Sequence, residues 1–160
     1  KKRRPQVLEE RFRYYRDRIR REIDHPMLLL NFPIGTIIRE VILENSNQGF
    51  FLGRPLGSYP VTIKIPNDDE RGAAALTAHG PVDVIVTGAE ERSLTGLVHP
   101  IRIEKLGLPS LTRIPGLGRR RASDLLLARP SRYEDFARFF DGRVFARESD
   151  YEFTIGAGKR

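Results

Sequence analysis

Between residues 35 and 103 no apolar run is long enough for a substantial helix, and glycine or proline interrupts the chain every few residues. Such a stretch is satisfied by short strands joined by corners. Residues 35–43 set Ile37, Val41 and Leu43 among polar neighbours, and residues 44–48 supply a turn before a second strand at 49–52. Residues 54–60 form a looped or bulged corner. In residues 61–65, Val61, Ile63 and Ile65 alternate inward against Thr62 and Lys64. Residues 66–80 make an acidic, small-residue connection holding a short helix capped by Asn67 or Asp68. Residues 81–87 and 93–103 close the set across a turn at 88–92. About five short strands in about seventy residues predict a small closed barrel of the oligonucleotide-binding type, an architecture that hides its sheet edges. Phe50 and Phe51 are adjacent and point to opposite faces, so at least one fills the core. Tyr59, beside Arg54, Gly57 and Pro60, is the candidate exposed ring for base stacking, with core filling as the alternative.

Helical texture flanks the barrel. In residues 6–23, Leu8, Phe12, Tyr15, Ile19 and Ile23 recur at steps of four, three, four and four, one helical stripe that ends at Asp24-His25-Pro26. The stripe must pack on something. Arg11, Arg13, Arg16, Arg18, Arg20 and Arg21 crowd the other faces, either as a solvated surface or as a nucleic-acid surface. From Leu106, Pro109 opens a short helix with Leu111 and Ile114 on its apolar side. A second helix over 119–128 presents Ala122, Leu125 and Leu126. Ser131 and Glu134 have capping-box spacing, worth roughly 1 kcal/mol, ahead of a third helix with Tyr133, Phe136, Ala137 and Phe140 inward and Gly142 at its end. Residues 143–147 and 151–155 read as strand-like. The expected class is α+β: a basic amphipathic helix or linker (1–25), an OB/TRAM-like barrel (26–105), a helical unit (106–142) and a short strand-like tail (143–160).

Charge is distributed unevenly over these segments. Of the net +7, residues 1–25 carry +5, residues 26–105 carry −2, residues 106–142 carry +3 and the remainder +1. Screening confines such fields to roughly 8 to 10 Å at physiological salt, so attraction for a polyanion concentrates at the N-terminal helix and near residues 114–122 rather than on the barrel. Arginine supplies 23 of the 28 positive charges, and its planar fork suits phosphate.

Other chemistries are poorly provided for. The chain has no cysteine, which removes disulfides, thiolate zinc sites and cluster ligands, and His25, His79 and His99 lack metal-ligand spacing. No run of about 18 apolar residues and no signal-peptide pattern is present, so the expectation is a soluble, cytoplasmic, metal-free polypeptide without a membrane partner. Asp68, Asp69, Glu70, Asp83, Glu90 and Glu91 fall in turn-like segments with no nucleophile–base pattern beside them, and no catalytic residue is expected.

The most specific stretch is Ile114-Pro-Gly-Leu-Gly-Arg-Arg-Arg-Ala122. Pro115 cannot continue a helix, Gly116 and Gly118 permit tight backbone geometry, and Arg119, Arg120 and Arg121 open the next helix where cations oppose the dipole. A phosphate docked on the exposed amides would account for them; a tight turn with a solvated basic end is the alternative. The pattern resembles the helix-hairpin-helix motif. That resemblance implies backbone contacts to nucleic acid from Gly116, Leu117, Gly118, Arg119, Arg120 and Arg121, with Arg54 and Tyr59 added from the barrel, although a single copy is visible where strong binders pair two.

The order of basic helix, barrel containing GRPLGSYP and hairpin resembles the C-terminal region of archaeal radical S-adenosylmethionine proteins. It implies a non-catalytic RNA- or DNA-contacting accessory module. An iron-sulfur cluster and S-adenosylmethionine would enter only through an upstream catalytic domain, since this chain has no cysteine to hold a cluster. The alternative function is a protein-interaction module docking onto such a domain.

Overall fold

Gln48 and Gly49 both take positive φ, 49° and 84°, the backbone signature of a two-residue hairpin turn matched to strand twist. The turn joins β1 (Ile37–Asn47) to β2 (Phe50–Pro55) in the computed structural model, which describes residues 6–57 and 61–153. The expected turn at 44–48 is therefore shorter, and Glu44 to Asn47 extend β1. Their side chains favour turns, but their backbone is held by pairing, with Asn45 opposite Leu52, Ser46 opposite Phe51 and Asn47 opposite Phe50.

Three more strands complete a closed barrel: β3 (Thr62–Pro66), β4 (Pro81–Ala89) and β5 (Ser93–Val98). The order around it is β1-β2-β3-β5-β4, with β3 and β5 parallel and the other neighbours antiparallel. This is an OB-like arrangement, and Val61, Ile63 and Ile65 point inward as their alternation predicts. Between β3 and β4 runs α3 (Glu70–Ala78), capped by Asp69, whose carboxylate accepts from the Arg71 amide at 2.9 Å. Neither expected cap, Asn67 nor Asp68, serves. Asp68 is engaged elsewhere, accepting from the Ser110 hydroxyl at 2.5 Å and the Ser110 amide at 3.2 Å, which ties this corner to the helical segment. Gly72 lets α3 lie directly on Phe51, since a Cβ there would sit 2.7 Å from the ring.

The N-terminal helix does not stop at Pro26. α1 (Gln6–Ile19) passes through a π-helical turn, Arg20–Asp24, into α2 (His25–Asn31). The His25 amide donates to Arg20 C=O, five residues back. The ladder is already irregular where proline removes a donor, so the helix continues through it. α2 then inserts Leu28 into the barrel core, with Phe32 packed against that core.

The second core belongs to the C-terminal segment: α4 (Leu108–Leu111), α5 (Arg119–Ala128), α6 (Tyr133–Ala137) and two 3₁₀ turns, Ile103–Lys105 and Glu148–Asp150. Ile85 and Leu97 of the barrel pack into it, so the two units share a wall. The capping box is not formed. Arg132 occupies the cap in extended backbone with no side-chain bond, and α6 is five residues long. Burial of Phe136 among Tyr133, Phe140, Tyr151 and Phe153 holds it in place. The expected strand-like runs of the tail are also absent among the described residues. A single parallel bridge, Ile101 to Tyr151, takes their place, and Phe145 and Tyr151 are buried. The Tyr151 hydroxyl donates to Phe145 C=O at 2.5 Å, and burial pushes its pKa well above the ordinary phenol value.

Candidate nucleic-acid interface

Residues 114–122 divide into pinned and presented positions. Ile114, Leu117, Ala122 and Leu125 are all buried in the C-terminal core, while Gly116, Gly118, Arg119 and Arg120 face solvent. Gly116 has φ of 84° with its Cα turned toward the Phe140 ring, a conformation that side-chain-bearing residues rarely adopt. Gly118 caps α5 in extended backbone and offers no side chain to the helix start. The first helical bond is Ala122 N–H to Gly118 C=O at 2.9 Å, leaving the amides of Arg119, Arg120 and Arg121 for an outside acceptor, as at any helix start. Leu117 is an anchor: its side chain is buried and its amide donates to Ile114 C=O at 3.1 Å.

The three arginines are not equivalent. Arg121 reaches the carbonyls of Gly116 at 3.3 Å and Phe139 at 3.4 Å and pairs with Asp141, lashing the hairpin to the chain beyond α6. Arg119 and Arg120 are exposed with no ion-pair partner among the described residues. A groove of about 700 Å³ runs from Pro115 and Gly116 past Ile34, Gly35 and Thr36 to Arg143 and Arg147. Arg143 is exposed, and Arg147 lies 3.5 Å from Asp150. Sequence reasoning missed Arg143 and Arg147 because a strand-like reading gave the tail no relation to the hairpin. Their four-residue spacing is a weak signal by itself.

Asp150 organises that edge of the groove. Burial works against its ionised form, but the Arg147 amide at 2.8 Å, His99 Nε2 at 3.3 Å and the Arg147 guanidinium outweigh it and hold the carboxyl below its ordinary value.

The barrel face that binds oligonucleotides in OB folds, over the second and third strands, is differently furnished. The cations carried by β2 and β3 are both neutralised: Arg54 lies 3.1 Å from Glu44, and Lys64 lies 2.6 Å from Glu90. Phe50 is half-buried beneath the Arg113 guanidinium, 5.1 Å from its ring centroid. Arg54 is thus engaged by Glu44, and Tyr59 lies outside the described residues. Asp68 and Asp69, which the sequence places in a turn-like segment with Asp68 as a candidate cap, are a tie to Ser110 and a helix cap whose partner Arg71 also grips the carbonyls of Val98 and Pro100.

An uncharacterized protein of Methanocaldococcus jannaschii is 35% identical to this chain over 88 residues. The match covers 54% of this chain and 15% of the relative, so the chain spans a small part of that protein's length. No protein-family model and no solved structure matches the chain. Among the described residues no helix is long and apolar enough to cross a membrane.

Proposed function

We propose that this chain is a non-catalytic module that binds nucleic acid through its phosphate backbone, using the hairpin at residues 115–120 and the adjoining groove. The observation that carries the reading is the start of α5, which has no side-chain cap and where Gly116 and Gly118 expose backbone beside two guanidiniums, Arg119 and Arg120, without an ion-pair partner among the described residues. Backbone amides at a helix start and arginine forks are both suited to phosphate oxygens. Arg143 extends the positive edge along the groove. The finer reading is a helix-hairpin-helix unit appended to an OB/TRAM-like barrel. Contacts of this kind position a nucleic acid without reading its sequence. Under the resemblance to archaeal radical S-adenosylmethionine proteins, the module would serve chemistry carried by another part of a longer polypeptide. The much greater length of the M. jannaschii relative is compatible with such an arrangement.

The test is a binding titration against tRNA, single-stranded DNA and duplex DNA at two salt concentrations. Affinity is expected to fall steeply with salt and to vary little with base sequence. Absence of binding to all three at low salt would remove the proposal.

A further inference from the structure

Leu8, Phe12, Tyr15, Ile19, Ile23, Met27 and Leu30 are between 42% and 72% exposed, although they form one apolar series along a helix of more than twenty residues. On either side of the π-turn their spacing is that of heptad a and d positions: four, three, four before it, then four, three after it. A regular heptad would follow Ile19 with residue 22. The single extra residue falls within Arg20–Asp24, the turn that takes one residue more than an α-turn. The series stays exposed, whereas Leu28, the residue with which this helix enters the barrel, is buried.

We infer that this face docks an α-helix of a partner, one whose apolar a/d seam is bordered by carboxylates. Two features select that occupant. The first is width. At about 100° per residue, Leu8, Phe12, Tyr15 and Ile19 fall within a sector of about 60°, and Arg11 and Arg16 stand only about 40° beyond its two edges. Val7 and Tyr14 are also exposed, about 100° and 120° round from Leu8, but Arg11 and Arg18 stand between them and the series, so the seam fits one facing helix; a membrane surface asks for a broad, unbroken apolar face. The second is charge. The flanking positions are Glu9, Arg11, Arg16 and Arg18, of which Arg18 already pairs with Glu22 at 2.9 Å and Arg16 with Asp17 at 3.0 Å. A second copy in parallel sets Arg11 against Arg16 and, past the extra residue, Arg18 against Asp24, one repulsion against one attraction. In antiparallel it gains Glu9 against Arg16 but sets Arg11 against Arg18, with no net benefit. Acidic flanks on the occupant meet every arginine favourably.

The test uses the full chain and two synthetic peptides of about four heptads, both with isoleucine at a and leucine at d, the pattern that favours two strands, one with glutamate and one with lysine at e and g. Fluorescence anisotropy is expected to show the glutamate peptide binding about tenfold or more tightly than the lysine peptide, with loss of binding in the Phe12→Ser/Ile19→Ser double variant. Both replaced side chains are exposed, so the variant's melting curve should match the parent. Equal affinity for the two peptides, or retention of binding by the double variant, overturns the inference. So does sedimentation of the unmixed chain as a dimer that Ile19→Ser dissolves, which assigns the seam to a second copy. Binding to vesicles of neutral and anionic phospholipid without binding to the glutamate peptide assigns it to a membrane and equally overturns it.

Discussion

Replacing Arg119, Arg120 and Arg121 one at a time with glutamine should give two kinds of result from three consecutive identical residues. Arg119 and Arg120 have no ion-pair partner among the described residues, so their loss should leave the melting temperature within error and act on binding alone. Each lost phosphate contact lowers the slope of log affinity against log salt by about 0.9 on duplex DNA and about 0.7 on single strands. Between about 50 and 200 mM salt, one duplex contact therefore accounts for a further ~3.5-fold loss of affinity in the parent that the variant does not show. Arg121 behaves otherwise. Its partner Asp141 is 83% exposed, so the ion pair contributes at most about 1 kcal/mol. The two long bonds to the Gly116 and Phe139 carbonyls add about 0.5 kcal/mol each. Together they predict a loss of about 1–2 kcal/mol, or a melting temperature lower by roughly 3–6 °C in a domain of this size. Differential scanning calorimetry and salt-titrated anisotropy on the same preparations separate the classes. Arg132→Gln, the same charge change at an exposed site away from the hairpin, is the control for net charge. If Arg121→Gln melts like the parent and flattens the salt slope as much as Arg119→Gln, the division drawn from the bonding is refuted.

Further predictions concern the scaffold. A Cβ at Gly96 would press on Val84 and lie 2.9 Å from the Ile85 carbonyl, so Gly96→Ala should cost about 1–3 kcal/mol, whereas Gly142→Ala, in open space, should be near neutral; equal melting curves would contradict the packing. Asp68→Ala leaves the buried Ser110 hydroxyl and amide without their acceptor and should destabilise by about 1–3 kcal/mol, with Asp68→Asn less damaging; an unaffected Asp68→Ala would show that the tie between barrel and helices carries no stability. The lowered pKa of Asp150 makes its stabilisation complete above the unfolded value, about 3.9, and lost as pH falls through the folded value. The melting-temperature gap between parent and Asp150→Asn should accordingly be widest near neutrality and close from about pH 4 downward; a gap constant to pH 3 would count against the Asp150 network.

Several local features were legible because they rest on short-range periodicity. The inward set Val61, Ile63, Ile65 and the span of α5 came directly from alternation and from the bracket between Gly118 and Pro130. The failures share a different cause. Pro26 reads as a helix stop unless the preceding turn has changed its hydrogen-bond spacing. Ser131 and Glu134 have the spacing of a cap, but Phe136 buries only if the chain stays extended through Arg132. In the candidate interface, the hairpin glycines were visible, whereas the groove with Arg143 and Arg147 required the tail to fold back beside Pro115.

The amino-acid order by itself determined an α+β chain with about five short strands, helices before and after them, and a glycine hairpin ahead of three arginines, because each follows from contacts within a few residues; closure of the barrel rests on pairings such as Ile37 with Ile85 and Thr62 with Ser93. Only the tertiary structure decided how those groups were spent. Arg121 is held by Asp141, twenty residues on; Arg54 and Lys64 are neutralised by Glu44 and Glu90; Asp68 turns to Ser110, forty-two residues away. Ion pairs and buried hydrogen bonds depend on distances in space that no local pattern encodes. Identical side chains in one run of sequence therefore end as a structural tie in one case, Arg121, and as solvent-exposed guanidiniums in the next, Arg119 and Arg120.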